Sequence, residues 1–186
     1  LFRSLSDTIN QLSSQSSCEW LVMGWDGRSH SGIFISNPIG WLLANINSNL
    51  ALYKDNGARY VGKILLALRP GRKDKNFIGI ARNVCLYYGA TLSLLHVVSE
   101  ESSDRIIETV KSRSQKKLKE ANANAEIMVV RSSNPVKTIS DVSASYDLLI
   151  LGTPEKDNWI KVLFGGGKDK FTETAACSVL RLTIKD

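Results

Sequence analysis

The stretch Tyr146-Asp147-Leu148-Leu149-Ile150-Leu151-Gly152 decides the fold, because its pattern occurs twice. Cys18-Glu19-Trp20-Leu21-Val22-Met23-Gly24 repeats the acid, the four apolar residues and the glycine, 152 − 24 = 128 positions earlier. The interval holds without a gap on both sides. Leu1-Phe2-Arg3-Ser4 falls on Val129-Val130-Arg131-Ser132, and Asn49-Leu50-Ala51-Leu52 falls on Cys177-Ser178-Val179-Leu180. Self-similarity of this length marks a repeated domain. The residues from about Lys63 to Met128 have no counterpart ahead of Leu1, and Leu1 stands where an initiator Met would. The reading therefore expects a piece of a longer polypeptide: the later half of one domain in 1–57, a linker in 58–62 and a complete second domain in 63–186.

Within the second unit, Ile64-Leu65-Leu66-Ala67-Leu68 is a short apolar run stopped by Pro70-Gly71, as expected of a strand buried on both faces. Phe77, Ile80, Ala81, Val84 and Tyr88 recur at helical spacing, with Gly89 placed as a C-cap. Thr91 to Val98 is a second strand. Asp104 is expected to cap a polar helix with a thin stripe of Ile107, Val110 and Leu118. Glu126 to Val130 is a third strand, and Val136, Ile139, Ser143 and Tyr146 mark a third helix with Pro135 in its first turn. Leu148 to Leu151, a helix around Asp169 to Ala175, and the strand Ser178 to Thr183 complete the unit. Strands alternating with helices predict an open, doubly wound α/β fold with a five-stranded parallel sheet. Its ligand crevice lies outside the carboxyl ends of the first and fourth strands, at Arg69-Pro70-Gly71 and 152–158.

Composition narrows the function. Of the 186 residues, 43% are apolar and 23% charged, ordinary globular material, and no apolar run approaches the roughly 20 residues of a membrane helix. Cys18, Cys85 and Cys177 are odd in number and form no C-x-x-C pair, against both a disulfide framework and a zinc site. The net charge of +6 concentrates at Lys111, Arg113, Lys116, Lys117 and Lys119, but Glu108 and Glu120 share that stretch. Without interleaved aromatics it reads as a solvated helix face, and no nucleic-acid partner is expected.

The strand Lys63 to Leu68, the ending Leu95-His96-Val97-Val98, the run Asp147 to Gly152 and the tail from Val162-Leu163-Phe164-Gly165-Gly166 to Ala176-Cys177-Ser178-Val179-Leu180 resemble the universal stress protein family. Met23-Gly24-Trp25-Asp26-Gly27, Asn37-Pro38-Ile39-Gly40-Trp41-Leu42-Leu43 and Asn49 to Asp55 are similar to a subgroup. In it, tandem stress-protein-like domains form the cytoplasmic tail of amino-acid permeases and cation-chloride cotransporters. The resemblance implies a location on the cytoplasmic side of the cell membrane and the membrane-embedded part of its own transporter as partner.

ATP-binding members of that family carry an Asp after the first strand and a pattern G-x-x-G, then G-[ST], after the fourth. Here Arg69 replaces the acid, Gly152 matches the opening glycine, Glu155 replaces the next, Gly165 matches the third and Gly166 replaces the hydroxyl residue. The resemblance makes Arg69, Val98, Gly152, Gly165, Gly166 and Lys168 the candidate nucleotide site. A nest of N–H groups at Gly165-Gly166-Gly167 with Lys168 favours an anion, and Glu155 opposes one. No cofactor is expected, with ATP as the alternative ligand. Pro38, lacking an N–H, makes the first unit the poorer cradle.

No catalytic constellation stands out. His30 lies in a polar turn, His96 inside an apolar strand where one satisfied hydrogen bond is expected, and neither a G-x-S-x-G elbow nor H-E-x-x-H occurs. Trp25 and Trp159 are expected in loops as contact points with a partner. The two last strands carry Leu50 and Leu52, and Val179, Leu180 and Leu182, apolar positions that an unpaired edge would expose. Pairing them would make a pseudo-dimer within one chain; the equivalent pairing between chains would make a homodimer. The reading is a non-catalytic regulatory and assembly domain of a transporter; the alternative is a free tandem stress protein binding ATP or a related nucleotide.

Overall fold

The computed structural model describes residues 11, 18–25, 48–69, 71, 73–152 and 169–185. In chain order these form β1 (Trp20–Gly24), β2 (Asn49–Lys54), β3 (Lys63–Ala67), α1 (Asp74–Tyr88), β4 (Thr91–Val98), α2 (Asp104–Glu120), β5 (Glu126–Arg131), α3 (Pro135–Ser143), β6 (Leu148–Gly152), α4 (Lys170–Thr174) and β7 (Ser178–Thr183). The strands make a sheet ordered β1-β2-β7-β6-β3-β4-β5, in which every neighbouring pair is parallel except β2 with β7. The expected five strands are consecutive in that order, but the sheet has seven. β7 does not end it: β2 pairs with β7's outer side and the hydrogen-bonding continues.

Local chemistry explains where the elements stop. Gly89 holds a left-handed φ of 65° and closes α1, with the N–H of Ala90 on the Cys85 carbonyl. Asn134 caps α3 by accepting from the Lys137 N–H, and Pro135 occupies the first turn, where no N–H is missed. Asp169 accepts from the Phe171 N–H at the start of α4. One expected cap is displaced: Ser103 is the N-cap of α2, while Asp104 lies in its first turn and receives the Arg131 guanidinium from β5.

The middle of the sheet, β3, β4, β6 and β7, is buried on both sides. One face carries Ile64, Leu66, Leu94, Leu148, Ile150 and Leu182 under Phe77, Ile78 and Ala81 of α1 and Leu118 of α2. The opposite face carries Leu65, Ala67, Leu95, Leu149, Leu151 and Val179 under Ile139 of α3 and Ala175. Near-continuous apolar strands of this sort need helices on both faces, since each side chain removed from water contributes roughly 1.5–3 kcal/mol.

Register adds a correction to the ungapped interval. Trp20 pairs with Asn49, and Leu148 with Ser178, so the first strands are related by 148 − 20 = 128 and the second by 178 − 49 = 129. One extra residue therefore lies between β6 and β7. In the antiparallel ladder Leu50 faces Thr183, Leu52 faces Arg181 and Lys54 faces Val179. The central pair gives the same value, 181 − 52 = 129. A local twofold through Leu52 and Arg181 relates the two strand pairs.

Candidate functional site

The winding reverses between β3 and β6. From β3 the chain passes through α1 to β4 on one side; from β6 it passes through α4 to β7 on the other. The crevice of such a sheet opens at the carboxyl ends of these two strands. Arg69, exposed, follows β3 there, and Gly152 ends β6. Val98 ends β4, the next strand along. Gly165, Gly166 and Lys168, with Glu155, Trp41, Trp159, His30 and Asn37 to Ile39, lie outside the described residues.

Phe77 accounts for one glycine. A Cβ on Gly152 would stand 3.0–3.3 Å from the Phe77 ring, closer than side chains normally pack. The ring of α1 thus lies directly on the end of β6, and a glycine there allows that close contact with no ligand invoked.

The loop after β3 is held by two buried groups the sequence reading did not join. The Leu68 N–H bonds the Leu95 carbonyl at 3.1 Å. The Leu68 carbonyl accepts from His96 Nδ1 at 2.9 Å, so Nδ1 carries a proton. Nε2 lies 2.8 Å from Ser114 Oγ of α2, whose hydroxyl is also 2.8 Å from the Val110 carbonyl. His96 therefore makes two hydrogen bonds where one was expected, and it ties the crevice lip to α2. Burial lowers its pKa, opposed by the Leu68 bond and by Asp74. Both Asp74 carboxylate oxygens accept from the Gly71 N–H at 3.0 Å, and burial raises the pKa of this acid. The signal for Asp74 was an acid in the first turn of a helix after Pro-Gly.

A second polar cluster lies where β2 meets β7. Arg181 and Asp169 are buried, 4% and 0% exposed, with Arg181 Nε 3.2 Å from Asp169 Oδ2. That contact is off the hydrogen-bond direction, leaving Nε without a hydrogen bond among the described residues. Asp169 instead accepts from the Thr172 hydroxyl at 2.7 Å and the Phe171 N–H. Lys54 Nζ donates to the Thr172 carbonyl at 2.9 Å. Asn56 donates its side-chain amide to the Ala175 and Cys177 carbonyls and its N–H to Ser178 Oγ. A charged residue inside an apolar strand, as Arg181 is, was the available signal.

Other residues stand apart from both clusters. Trp25, expected at the surface, is buried, and its backbone N–H donates to the Tyr53 carbonyl at 2.7 Å. Burial pushes the Cys85 and Cys177 thiols up to about 11, so neither is a thiolate at neutral pH. Among the described residues no helix is long and apolar enough to cross a membrane.

No protein-family model and no curated protein matches the chain. Solved structures do. A universal stress protein from Archaeoglobus fulgidus DSM 4304 superposes with a TM-score of 0.65 at 16% identity, over 97% of this chain and 66% of that one. A putative universal stress protein from Pseudomonas aeruginosa UCBPP-PA14 gives 0.62 at 18%, over 97% and 69%. A universal stress protein in complex with cAMP gives 0.53 at 15%, over 68% of this chain and 98% of that one. The chain thus spans about two thirds of the two longer structures. At these identities the likeness establishes the fold, an α/β architecture of the universal stress protein type.

Proposed function

We propose that this chain is a non-catalytic regulatory and assembly module of universal stress protein-like fold, the cytoplasmic tail of a secondary transporter of the amino-acid permease or cation-chloride cotransporter class. The observation that carries the reading is the β2–β7 ladder, which joins a strand pair from residues 20–54 to the five strands of 63–183 in one continuous sheet. Two stress-protein-like units within a single polypeptide, one incomplete in this chain, would produce such a junction. The proportions of the matches support it: the cAMP complex aligns nearly whole with 68% of this chain, while the longer proteins align over 97% of it. The transporter class rests on the resemblance of Met23 to Gly27 and Asn49 to Asp55 to such tails. Its partner would be the membrane-embedded part of the same transporter.

A regulatory rather than catalytic role also fits the groups at the crevice. Both nitrogens of His96 are engaged by oxygen atoms, and Asp74 is held by Gly71. The test is made on the complete gene product. Its reading frame should encode about ten or more apolar spans of roughly 20 residues, and the product should sediment with membranes and resist high-salt extraction. A salt-soluble product without such spans overturns the transporter reading.

A second reading, nucleotide binding, is favoured by the cAMP complex among the similar structures and by the reversal between β3 and β6. Arg69 in place of an acid and Phe77 against Gly152 weigh against it. Titration calorimetry with cAMP and with ATP and magnesium decides: saturable heat at micromolar to millimolar nucleotide supports binding, and none at millimolar concentration removes it.

A further inference from the structure

We infer that Arg181 makes the β7 edge selective: it accepts the Leu50–Lys54 strand of the same chain and rejects a second copy of itself. Residues directly opposite in an antiparallel ladder share a face of the sheet, with Cβ atoms about 5 Å apart. At the centre of this ladder stand Leu52 and Arg181, 3% and 4% exposed.

A β7–β7′ pairing about the same local twofold would place Arg181 against Arg181′. Two buried guanidiniums would then face one another, each with a single Asp169 beside it. Like charges opposite each other in a sheet destabilise it, and burial removes the water that would screen them. Leu52 supplies an apolar neighbour at that point instead. The pairing β2–β7 is the one that leaves Arg181 a lone cation on the axis.

Independent contacts beyond the ladder favour the same partner. Lys54 Nζ reaches the Thr172 carbonyl, and Asn56 bonds Ala175, Cys177 and Ser178. At the register shift of 129, Thr183 and Lys185 would occupy those places in a β7–β7′ pairing. A threonine side chain is too short to reproduce the reach of Lys54, and Lys185 lacks the amide that bridges two carbonyls.

Among the described residues, Asp169 pairs with Arg181 here and Lys54 donates to the neighbouring Thr172 carbonyl. Substitutions at Leu52 read the selectivity directly in the full chain. Leu52→Met should match the parent, and Leu52→Glu should be tolerated, because the carboxylate offers Arg181 Nε the acceptor it lacks. Leu52→Arg should lower amide-exchange protection in 50–54 and 179–183 by roughly a hundredfold or more, the effect of an unpaired buried charge, while β3 and β4 keep theirs. The melting order Met above Glu above Arg holds even if the arginine variant loses the whole sheet. The parent should sediment as a monomer. Equal loss for Glu and Arg, Arg above Glu in melting, or a parent dimer in which 50–54 exchange freely would overturn the inference.

Discussion

The strand pairs β1–β2 and β6–β7 are each parallel and have almost the same register, yet their leading strands live in different surroundings. Ile150 in β6 is 0% exposed; Val22, at the matching place in β1, is 67% exposed. Their patterns, Trp-Leu-Val-Met-Gly and Leu-Leu-Ile-Leu-Gly, are equally apolar. What differs is the neighbour. β6 has β3 on its far side and Phe77 and Ile78 of α1 above it, while β1 ends the sheet among the described residues. An apolar strand is a necessary condition for burial, and the partners on its flank decide how much of it is achieved.

The two strand pairs differ most at their centres. Ile150→Ala should cost about 2–5 kcal/mol through lost contacts and the cavity left behind, whereas Val22→Ala should stay within about 0.5 kcal/mol. Urea unfolding of the two variants measures both, and equal losses would mean that β1 is as enclosed as β6. The closing glycines give a finer contrast. A methyl on Gly152 meets the Phe77 ring at 3.0 Å, while one on Gly24 meets nothing within 4 Å. Gly152→Ala should therefore destabilise by about 1–3 kcal/mol and Gly24→Ala should be close to neutral. Thermal melts of the pair are sufficient to compare them.

The smallest expected effect concerns pH and belongs to the helix-covered half alone. Burial depresses the His96 pKa in the folded protein below its ordinary 6.5. The folded state then binds fewer protons than the unfolded one between those two values. The His96 contribution to stability is full above pH 6.5 and declines as pH falls from there through the folded pKa. Asp74, raised above 3.8, acts with the opposite slope at lower pH, where its contribution is lost as pH rises through the folded value. Arg113 and Lys117 of α2 also face Asp74 and limit that rise. His96→Gln should flatten the decline just below pH 6.5 in a series of unfolding midpoints. An unchanged slope would assign the decline to other groups.

Much of this architecture was legible in the chain because its signals are local. Four-residue apolar runs, Gly89 after Tyr88, Pro135 after Asn134 and the capping Asp169 mark strands, stops and starts with their own chemistry. Non-local facts were harder to read. The extra residue between β6 and β7 shows only in the ladder, since a one-residue slip changes partners without changing the apolar pattern. The pairing of Leu50 to Tyr53 with Val179 to Thr183 was expected from their apolar edges, but its register, with Leu52 opposite Arg181, was not. Trp25 looked like a loop residue beside charges, yet it is buried and its backbone N–H stays bonded to Tyr53 past the end of β1. At the crevice, the glycine at 152 was visible as a motif, but its packing reason, Phe77, lies 75 positions earlier and is brought over it by α1.

The join of β2 to β7 within one chain is the contact on which the sheet's continuity rests. A sample mixed from chains labelled with 13C and chains labelled with 15N separates contacts within a molecule from contacts between molecules. The prediction is close backbone proton contacts linking Leu50–Lys54 to Val179–Thr183, with Leu52 opposite Arg181, seen only within a chain. Contacts between Val179–Thr183 of different chains, or none to Leu50–Lys54, would contradict it.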